Sequence, residues 1–249
     1  MSKVSIIIPV YIKNKELLDL TKAAFHSLEQ TDWDNFQSEL IFVDDCSRSF
    51  GWDFLRNHSD IYVRGKVNHG FPWAMNKGIQ VSSGELIVAM NNDIRVSPNW
   101  LKVAKEILAQ NDKVGMLHYK MVGYDEDFGL GDNTWISGKE KWCTGSFFII
   151  KREALPEGLY DEKYGLGGFD DWDLQHRVRH INGWQAAYTN KAAYQHKDSS
   201  TQLLRDPRER TQSDIRSREY FKSKFGEYPE EIWNRLYPEQ AKESWRPFP

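Results

Sequence analysis

Short apolar runs alternate with stretches of helical periodicity through the first half of the sequence. Continuous runs of about 4–8 apolar residues are typical of strands that are buried on both faces. Apolar residues three and four positions apart predict helices that cover such strands. The pattern predicts strands at residues 4–10, 40–43, 85–90 and 114–121, and helices at 15–30, 71–81 and from Pro98 onward. This alternation predicts an α/β fold with parallel strand pairs.

The second half of the sequence is less regular and richer in glycine. Residues 123–140 show no apolar period, which is typical of a long functional loop. Further strands are predicted at residues 145–155 and 184–188, and further helices at 171–181 and 209–225. We expect a single domain over residues 1–226, with a first half at 1–121 and a second half at 122–226. Residues 227–249, rich in proline and aromatic side chains, are expected to form an arm that packs on this domain or joins two copies in a homodimer.

The composition argues against several classes of protein. The 249 residues carry a net charge of −3, which offers no basic surface to a nucleic-acid backbone. Two cysteines cannot form a disulfide framework, and no apolar run approaches the ~20 residues that cross a bilayer. We therefore expect a cytoplasmic protein without a nucleic-acid partner. Residues 205–224 carry more basic than acidic side chains, which suits a solvated helix or contact with an anionic membrane surface.

Three of the predicted strands end in polar motifs. These motifs are Pro9-Val10-Tyr11, Asp44-Asp45 and Asn91-Asn92-Asp93. Each alone suits an ordinary turn, because Asp and Asn are common turn residues. Ligands of open α/β sheets bind at the carboxyl ends of parallel strands, and here three such ends carry polar groups. Their coincidence predicts a binding crevice at this edge of the sheet.

The order and spacing of these motifs resemble a known family. The segments VSIIIPVY, LIFVDDCS, HGFPWAMNKGIQVSSGELIVAMNND and GFDDWDLQHR are similar to those of the inverting glycosyltransferases of family 2. The resemblance extends over residues 3–226, including the closing YFKSKFG. It implies a GT-A fold: a Rossmann-like, mostly parallel central sheet flanked by helices, with a smaller acceptor-side region. It also implies a nucleotide-sugar donor and a glycan or glycolipid acceptor.

A group of residues in the first half suits a nucleotide sugar. Carboxylates such as Asp44 and Asp45 can accept hydrogen bonds from a base N–H or a ribose hydroxyl, and the resemblance implies that one of the two, usually the second, contacts the base. Gly70 begins the helix at 71–81, whose N-terminal N–H groups favour a diphosphate, while Asn76 is either a ligand group or a helix-surface amide. The expected nucleotide-sugar contacts are Pro9, Tyr11, Asp44, Asp45, Gly70, Asn76, Asn91 and Asn92.

The Asn91-Asn92-Asp93 turn stands where the family has an Asp-any-Asp metal signature. With asparagine first, Asp93 alone offers a full negative charge. A hard divalent cation takes oxygen ligands, and a diphosphate supplies some of them, so one carboxylate and one further protein ligand suffice. The resemblance implies that His196, which follows the acidic cluster by 25 positions, is that ligand. The expected ion is Mn²⁺ or Mg²⁺.

The GFDDWD segment places three carboxylates at the start of a predicted helix. Helix capping explains one of them, since Asp170 can cap and Asp173 can favour the helix dipole. The resemblance implies that a second acid of the cluster is the catalytic base, which points to Asp171, with Asp170 as the alternative. Arg177 lies one turn after Asp173, and this pair is expected to be structural.

Several tryptophans lie near these motifs in the sequence. Trp135 and Trp172 are the candidates for stacking on an acceptor sugar, because one lies in the glycine-rich loop and the other beside the expected base. Trp142 lies close by, and core packing is the competing interpretation, which suits Trp73 best.

Taken together, the motifs predict a metal-dependent inverting transfer of a sugar from a UDP- or dTDP-activated donor to a glycan hydroxyl. The NND form of the metal motif resembles rhamnosyltransferase-like members of the family. A sugar nucleotidylyltransferase would need a glycine-rich loop after the first strand, where this chain has YIKNKE. The remaining alternative is an inactive glycan-binding or scaffold domain that keeps the fold.

Overall fold

The computed structural model describes residues 3–136, 145–197 and 206–236. The strands are β1 (Lys3–Val10), β2 (Gln37–Asp44), β3 (Ile61–Arg64), β4 (Leu86–Met90), β5 (Ile94–Val96), β6 (Val114–Gly123), β7 (Thr134–Ile136), β8 (Phe147–Lys151) and β9 (Gln185–His196). The helices are α1 (Lys15–Glu29), α2 (Trp52–Asn57), α3 (Phe71–Val81), α4 (Trp100–Gln110), α5 (Asp170–His176), α6 (Pro207–Phe225) and α7 (Pro229–Leu236).

All nine described strands belong to one sheet. Eight follow the order β3-β2-β1-β4-β8-β6-β9-β5, and β7 pairs with β9 beside this path. Strands β1 to β4 pair in parallel, as does β6 with β9, whereas β8 runs antiparallel to both of its neighbours. The α/β fold expected from the sequence is confirmed. The antiparallel strand β8 separates the parallel β1–β4 group from the β6–β9 pair.

Helices cover both faces of the sheet, because both faces are apolar. One buried cluster joins one face of the sheet to α1, α2 and α4, through residues such as Leu17, Leu55 and Leu101. A second cluster joins the other face to α3 and α5 through Ile79 and Leu174. The continuous apolar runs of the sequence are explained by this two-sided burial.

The shortest elements are absent from the sequence prediction. Helix α2 and strands β3, β5 and β7 are three to six residues long, too short for a clear periodicity. Strand β9 extends to His196, well past the predicted end at residue 188, because its second half pairs with both β5 and β6. Strand β5 and the longer β9 matter for the site, because β5 directly follows Asp93 and β9 ends at His196, the two predicted metal ligands.

The carboxyl-terminal helices form a small unit of their own beside α5. Ile232 of α7 and Phe221 of α6 are buried in a third cluster with Tyr164. Helix α7 is the part of the predicted arm that the structure describes, while residues 237–249 lie outside the described ranges. Whether the arm joins two copies stays a prediction. Among the described helices, none is both long and apolar enough to cross a bilayer.

Candidate active site

The parallel strands bring the three polar motifs to one edge of the sheet. Val10 lies opposite Asp44 in the β1–β2 register, and Ile7 lies opposite Ala89 in the β1–β4 register. Asp45 also donates its backbone N–H to the Val10 carbonyl at 2.8 Å. The motif at the end of each strand therefore borders a single crevice, as expected for a parallel sheet.

Pro9 and Tyr11 lie at the end of β1, on this edge. Pro9 stands opposite Val43 in the β1–β2 register. The Lys13 ammonium lies 4.6 Å from the centroid of the Tyr11 ring, a distance suited to a cation–π contact. Both predicted residues thus border the crevice, with a positive charge beside the aromatic ring.

Asp44 is fully buried and held by protein donors. Its Oδ1 accepts the Ser47 N–H at 2.6 Å, and its Oδ2 accepts the Tyr62 hydroxyl at 2.6 Å and Arg64 Nε at 3.2 Å. Burial and the hydrogen bond to Asp44 raise the pKa of Tyr62 far above its usual range, so Tyr62 remains a donor. Asp44 therefore fixes the end of β3 to the end of β2.

Asp45 holds the turn that precedes helix α3. Its carboxylate accepts the backbone N–H groups of His69, at 2.9 and 3.0 Å, and of Gly70, at 2.7 Å. Gly70 has φ of 101°, and an added Cβ would lie 2.1 Å from the Gly165 carbonyl oxygen, so only glycine fits. The contacts of Asp45 leave out the N–H groups of the first turn of α3, so the expected diphosphate contact at this helix stays a prediction.

Asn76 is also engaged within the protein. Its Oδ1 accepts the Tyr160 N–H at 2.9 Å, and its Nδ2 donates to the Tyr160 carbonyl at 2.9 Å and to Glu162 Oε1 at 2.8 Å. The side chain pins the segment before α5 to helix α3. Asn76 is 6% exposed and therefore is not a solvated surface amide, while its role as a ligand group stays a prediction.

The Asn91-Asn92-Asp93 turn is fixed through its first two residues. Asn91 donates its backbone N–H to the Ser146 carbonyl at 2.9 Å, and Asn92 Nδ2 donates to Thr21 Oγ1 at 2.9 Å. The backbone of Asn91, the first residue of the motif, therefore binds the residue that directly precedes β8. These two anchors hold Asp93 at the crevice.

Asp93 and His196 lie side by side, although 103 positions separate them in the sequence. Ile94 pairs with His196 in the antiparallel β5–β9 register, which brings Asp93 Oδ1 to 3.2 Å from His196 Nε2. Asp93 is 4% exposed, and both atoms are buried without a hydrogen-bond partner among the described residues.

Two buried ligand atoms that lack hydrogen-bond partners, as these do, suit a divalent cation. A carboxylate oxygen and an imidazole nitrogen are both ligands that Mn²⁺ accepts, and a neighbouring diphosphate would complete the coordination. No group of three or more His, Cys, Asp or Glu side chains suited to a metal occurs in the described ranges. The residues present thus fit an ion that is shared with a ligand, rather than one enclosed by the protein.

The carboxylates of Asp170 and Asp171 begin helix α5. Asp171 accepts two backbone hydrogen bonds, from Gly145 at 2.8 Å and from Trp172 at 2.9 Å, while Asp170 accepts that of Gly168 at 2.7 Å. Burial, followed by the charge of Asp171, raises the pKa of Asp170 to about 7. Burial likewise raises the pKa of Asp171, against its backbone hydrogen bonds. Two acids with raised pKa values at a crevice are suited to proton transfer near neutral pH.

A two-residue bridge connects the expected base to the expected metal turn. Ser146 accepts the backbone N–H of Asn91, and the adjacent Gly145 donates its N–H to Asp171. An added Cβ at Gly145 would lie 2.6 Å from Asp171 Cβ, so the contact requires glycine. Neither bridge residue was predicted from the sequence, although a glycine just before a buried strand could have indicated a close backbone contact.

The other predicted contacts are divided between exposed and packed positions. Trp135 is 37% exposed on β7, with its ring 5.6 Å from that of Tyr188, so it is available for stacking. Trp172 packs towards Phe169, at 6.0 Å between rings, in the cluster formed with α6 and α7. Trp142 lies outside the described residues. The ion pair between Asp173 and Arg177 is present and buried.

Comparison with known proteins identifies the family. The family model described as glycosyl transferase family 2 matches residues 5–159, which is more than half of the chain. This chain belongs to glycosyl transferase family 2. The match includes the Asp44-Asp45 and Asn91-Asn92-Asp93 motifs and ends before the acids of helix α5.

Curated relatives of this family 2 chain match over part of their length. The putative colanic acid biosynthesis glycosyl transferase WcaA of Escherichia coli K12 is 29% identical over 104 residues, 39% of this chain and 36% of WcaA. The N-acetylgalactosaminyltransferase 4 of Drosophila melanogaster is 26% identical over 168 residues, 53% of this chain and 25% of that protein. The matched part of the chain thus spans about a third or a quarter of these relatives.

Solved structures confirm the GT-A fold of this family 2 chain. S. aureus TarS 1-349 has a TM-score of 0.63 at 18% identity, over 90% of this chain and 72% of TarS 1-349. GalNAc-T7 with UDP, GalNAc and Mn²⁺ has a TM-score of 0.62 at 16% identity, over 79% and 44% of the chains. The mannosyltransferase PcManGT of Pyrobaculum calidifontis, in complex with GDP-Man and Mn²⁺, has a TM-score of 0.60 at 19% identity, over 77% of this chain and 56% of PcManGT.

Proposed function

We propose that this protein is a metal-dependent, inverting glycosyltransferase. It would transfer a sugar from a UDP- or dTDP-activated donor to a hydroxyl group of a glycan or glycolipid, in the synthesis of a polysaccharide. Family membership supports sugar transfer, and the description of WcaA supports a polysaccharide product. A cytoplasmic location and an acceptor at a membrane surface belong to the same proposal.

The pairing of Asp93 with His196 carries this proposal. The two atoms lie 3.2 Å apart, and neither has a hydrogen-bond partner among the described residues, so a bound cation would satisfy both. GT-A structures with this topology hold Mn²⁺ together with UDP or with GDP-Man. We assign the pair to Mn²⁺ or Mg²⁺, bound together with the diphosphate of the donor. When bound, such an ion neutralises the charge that develops on the departing diphosphate.

Asp171 performs the proton transfer in this proposal. An acceptor hydroxyl is a poor nucleophile near neutral pH and must lose its proton as it attacks the anomeric carbon. The two backbone N–H groups on the Asp171 carboxylate fix its orientation, and its link through Gly145 and Ser146 keeps it near the metal turn. Asp170, one residue earlier, is the alternative base. A single displacement of this kind inverts the anomeric configuration.

The choice of base on the donor depends on two carboxylates that already have protein partners. Asp45 accepts the N–H groups of His69 and Gly70, and Asp44 accepts hydrogen bonds from Ser47, Tyr62 and Arg64. Asp44 is fully buried, whereas Asp45 is 4% exposed, so Asp45 is the carboxylate that a base N–H would reach. Uracil and thymine offer such an N–H, as does guanine, so the proposal of UDP or dTDP follows the family resemblance and the panel of donors decides it.

The test is release of nucleoside diphosphate from a panel of UDP-, dTDP- and GDP-sugars, with and without Mn²⁺. The expected result is Mn²⁺-dependent release from a uridine or thymidine donor, and a transfer product of inverted configuration by NMR. Binding of sugars without turnover of any donor would instead identify a glycan-binding domain. Retention of the donor's configuration would reject the inverting mechanism while leaving sugar transfer in place.

A further inference from the structure

Helix α6 places two side chains, one turn apart, against the segment around the start of α5. Lys224 Nζ lies 2.7 Å from Asp161 Oδ2 and 2.6 Å from Asp173 Oδ2. Tyr220 donates its hydroxyl hydrogen bond to the same Asp161 oxygen at 2.8 Å. Lys224 therefore bridges two carboxylates that belong to other elements.

Asp173 is the more demanding of these two carboxylates. It is completely buried on α5, two positions after Asp171. Its oxygens contact the Arg177 guanidinium, the Tyr164 hydroxyl and Lys224. A buried carboxylate that loses a positive partner is strongly unfavourable, so Arg177 and Lys224 together hold Asp173 in place.

Apolar packing fixes the same contact. The Tyr164 and Tyr220 rings meet edge to face at 5.1 Å between centroids, and Phe221 is fully buried beside them. Trp172, in the first turn of α5, packs against this cluster. The position of the first turn of α5 therefore depends on α6.

We propose that Lys224 is a positioning residue for the acids at the start of α5. It neutralises Asp173 and holds the first turn of α5, so that Asp171 faces the acceptor hydroxyl as an ionised base. This inference rests on the proposed function. Lys224 lies beyond residues 5–159, the part that the family model matches, so it is assigned from the geometry alone.

The charges around Asp173 fix the sign of the expected effect. The charged and titratable groups that face it are Arg177 and His176 on α5, Lys224 on α6, Asp161 and Tyr164 on the preceding segment, and Asp170 and Asp171. The Asp173 charge contributes to the raised pKa of Asp170, after burial and after Asp171. Without Lys224 this charge is less compensated, so the pKa of the Asp170–Asp171 pair rises and less base is ionised at neutral pH.

The kinetic test compares Lys224→Met, Lys224→Arg and the control Lys222→Met. Lys222 lies on the same helix, and its ammonium lies 4.0 Å from the centroid of the Tyr228 ring, between α6 and α7. We expect Lys224→Met to lower kcat by about 10-fold or more, with an unchanged KM for the donor. The acidic limb of its pH–rate profile should move up by about half a pH unit to one. Lys224→Arg should restore most of kcat and most of the position of the acidic limb. Lys222→Met should behave like the wild type.

A second measurement does not depend on turnover. A ¹³C-carboxyl NMR titration of aspartate-labelled protein, with Asp170→Asn and Asp171→Asn for assignment, gives the pKa values of the pair directly. We expect both Lys224→Met and the milder Lys224→Gln to raise them. An inactive wild type would count against the proposed function, while the titration would still decide the role of Lys224. A folded Lys224→Met protein with wild-type kcat, acidic limb and titration would overturn the inference, as would a loss of kcat that Lys224→Arg does not restore.

Discussion

At the scale of single residues, the carboxylates of the crevice are distinguished by their partners. Asp44 and Asp45 hold β3 and the turn before α3, whereas Asp171 is oriented by two backbone donors, with no cationic partner among the described residues. Asp45 is only 4% exposed, and it holds the turn before α3 through the N–H groups of His69 and Gly70. Its substitution should therefore affect stability as well as binding.

Replacement of Asp171 tests the assignment of the base. Asp171→Asn keeps the size of the side chain but cannot take the acceptor's proton, so turnover should fall by roughly 10²–10⁴-fold with donor affinity nearly unchanged. The matched control is Asp112→Asn, because the Asp112 side chain is exposed and away from the crevice. Steady-state kinetics and calorimetric donor binding check both parts. Near-normal turnover would move the role to Asp170.

Glu39 lies near the start of β2, at the opposite end of this strand from Asp44, and should control stability in acid. Burial alone would raise the pKa of Glu39, but hydrogen bonds from Lys3, Ser5 and Ser83 outweigh it and lower the pKa to about 2. Because the pKa is lower in the folded state, this stabilisation is complete above pH ~4.5 and is lost as the pH falls towards 2. Glu39→Gln should lower the free energy of unfolding by about 1–3 kcal/mol at pH 7. Urea unfolding from pH 2 to 7 should show the difference between the two proteins vanish in acid; a constant difference would refute it.

At the scale of elements, long periodic segments could be predicted from the sequence and short ones could not. Helix α3 was predicted with its observed bounds, Phe71–Val81, because glycine, proline and apolar spacing agree there. Strand β5 has three residues, and its existence depends on pairing with β9, a contact that no local pattern contains. For the same reason His196 could be proposed only through a family resemblance, and the YFKSKFG segment gave no indication that its Lys224 contacts Asp173.

The packing of α3 on β1 gives a prediction at this scale. An added Cβ at Gly78 would lie 2.3 Å from Ile7 Cγ2, so the helix approaches the strand more closely than alanine permits. Alanine favours helices over glycine, but overpacking should prevail and destabilise Gly78→Ala by about 1–3 kcal/mol. Gln80→Ala, exposed on the same helix, is the control. Thermal denaturation that finds Gly78→Ala as stable as the wild type would contradict the close packing.

At the scale of the whole molecule, the site draws on both halves of the chain. Asp93 follows β4 in the first half, while Asp171 begins α5 and His196 ends β9 in the second. The sheet joins them through the β5–β9 pairing and the contact between Asn91 and Ser146. Neither half contains the complete set of residues, which is consistent with the single domain predicted over residues 1–226.

Removal of His196 tests this shared site. His196→Ala should weaken binding of the nucleoside diphosphate in Mn²⁺ by about 10- to 100-fold, because one of two protein ligands is lost. His58→Ala is a suitable control, since His58 packs on Phe54 at the far side of the first cluster. Equal affinities for wild type and His196→Ala, in calorimetry with Mn²⁺, would remove His196 from the metal site.

The most direct test of the central claim is calorimetric titration of the wild-type protein with UDP and dTDP, in Mn²⁺ and then in EDTA. Without the cation, the diphosphate meets the Asp93 charge uncompensated, and the two repel. We expect clear binding of at least one nucleotide in Mn²⁺ and an affinity at least about 10-fold lower in EDTA. Equal affinity with and without the metal, or no binding of either nucleotide, would contradict it.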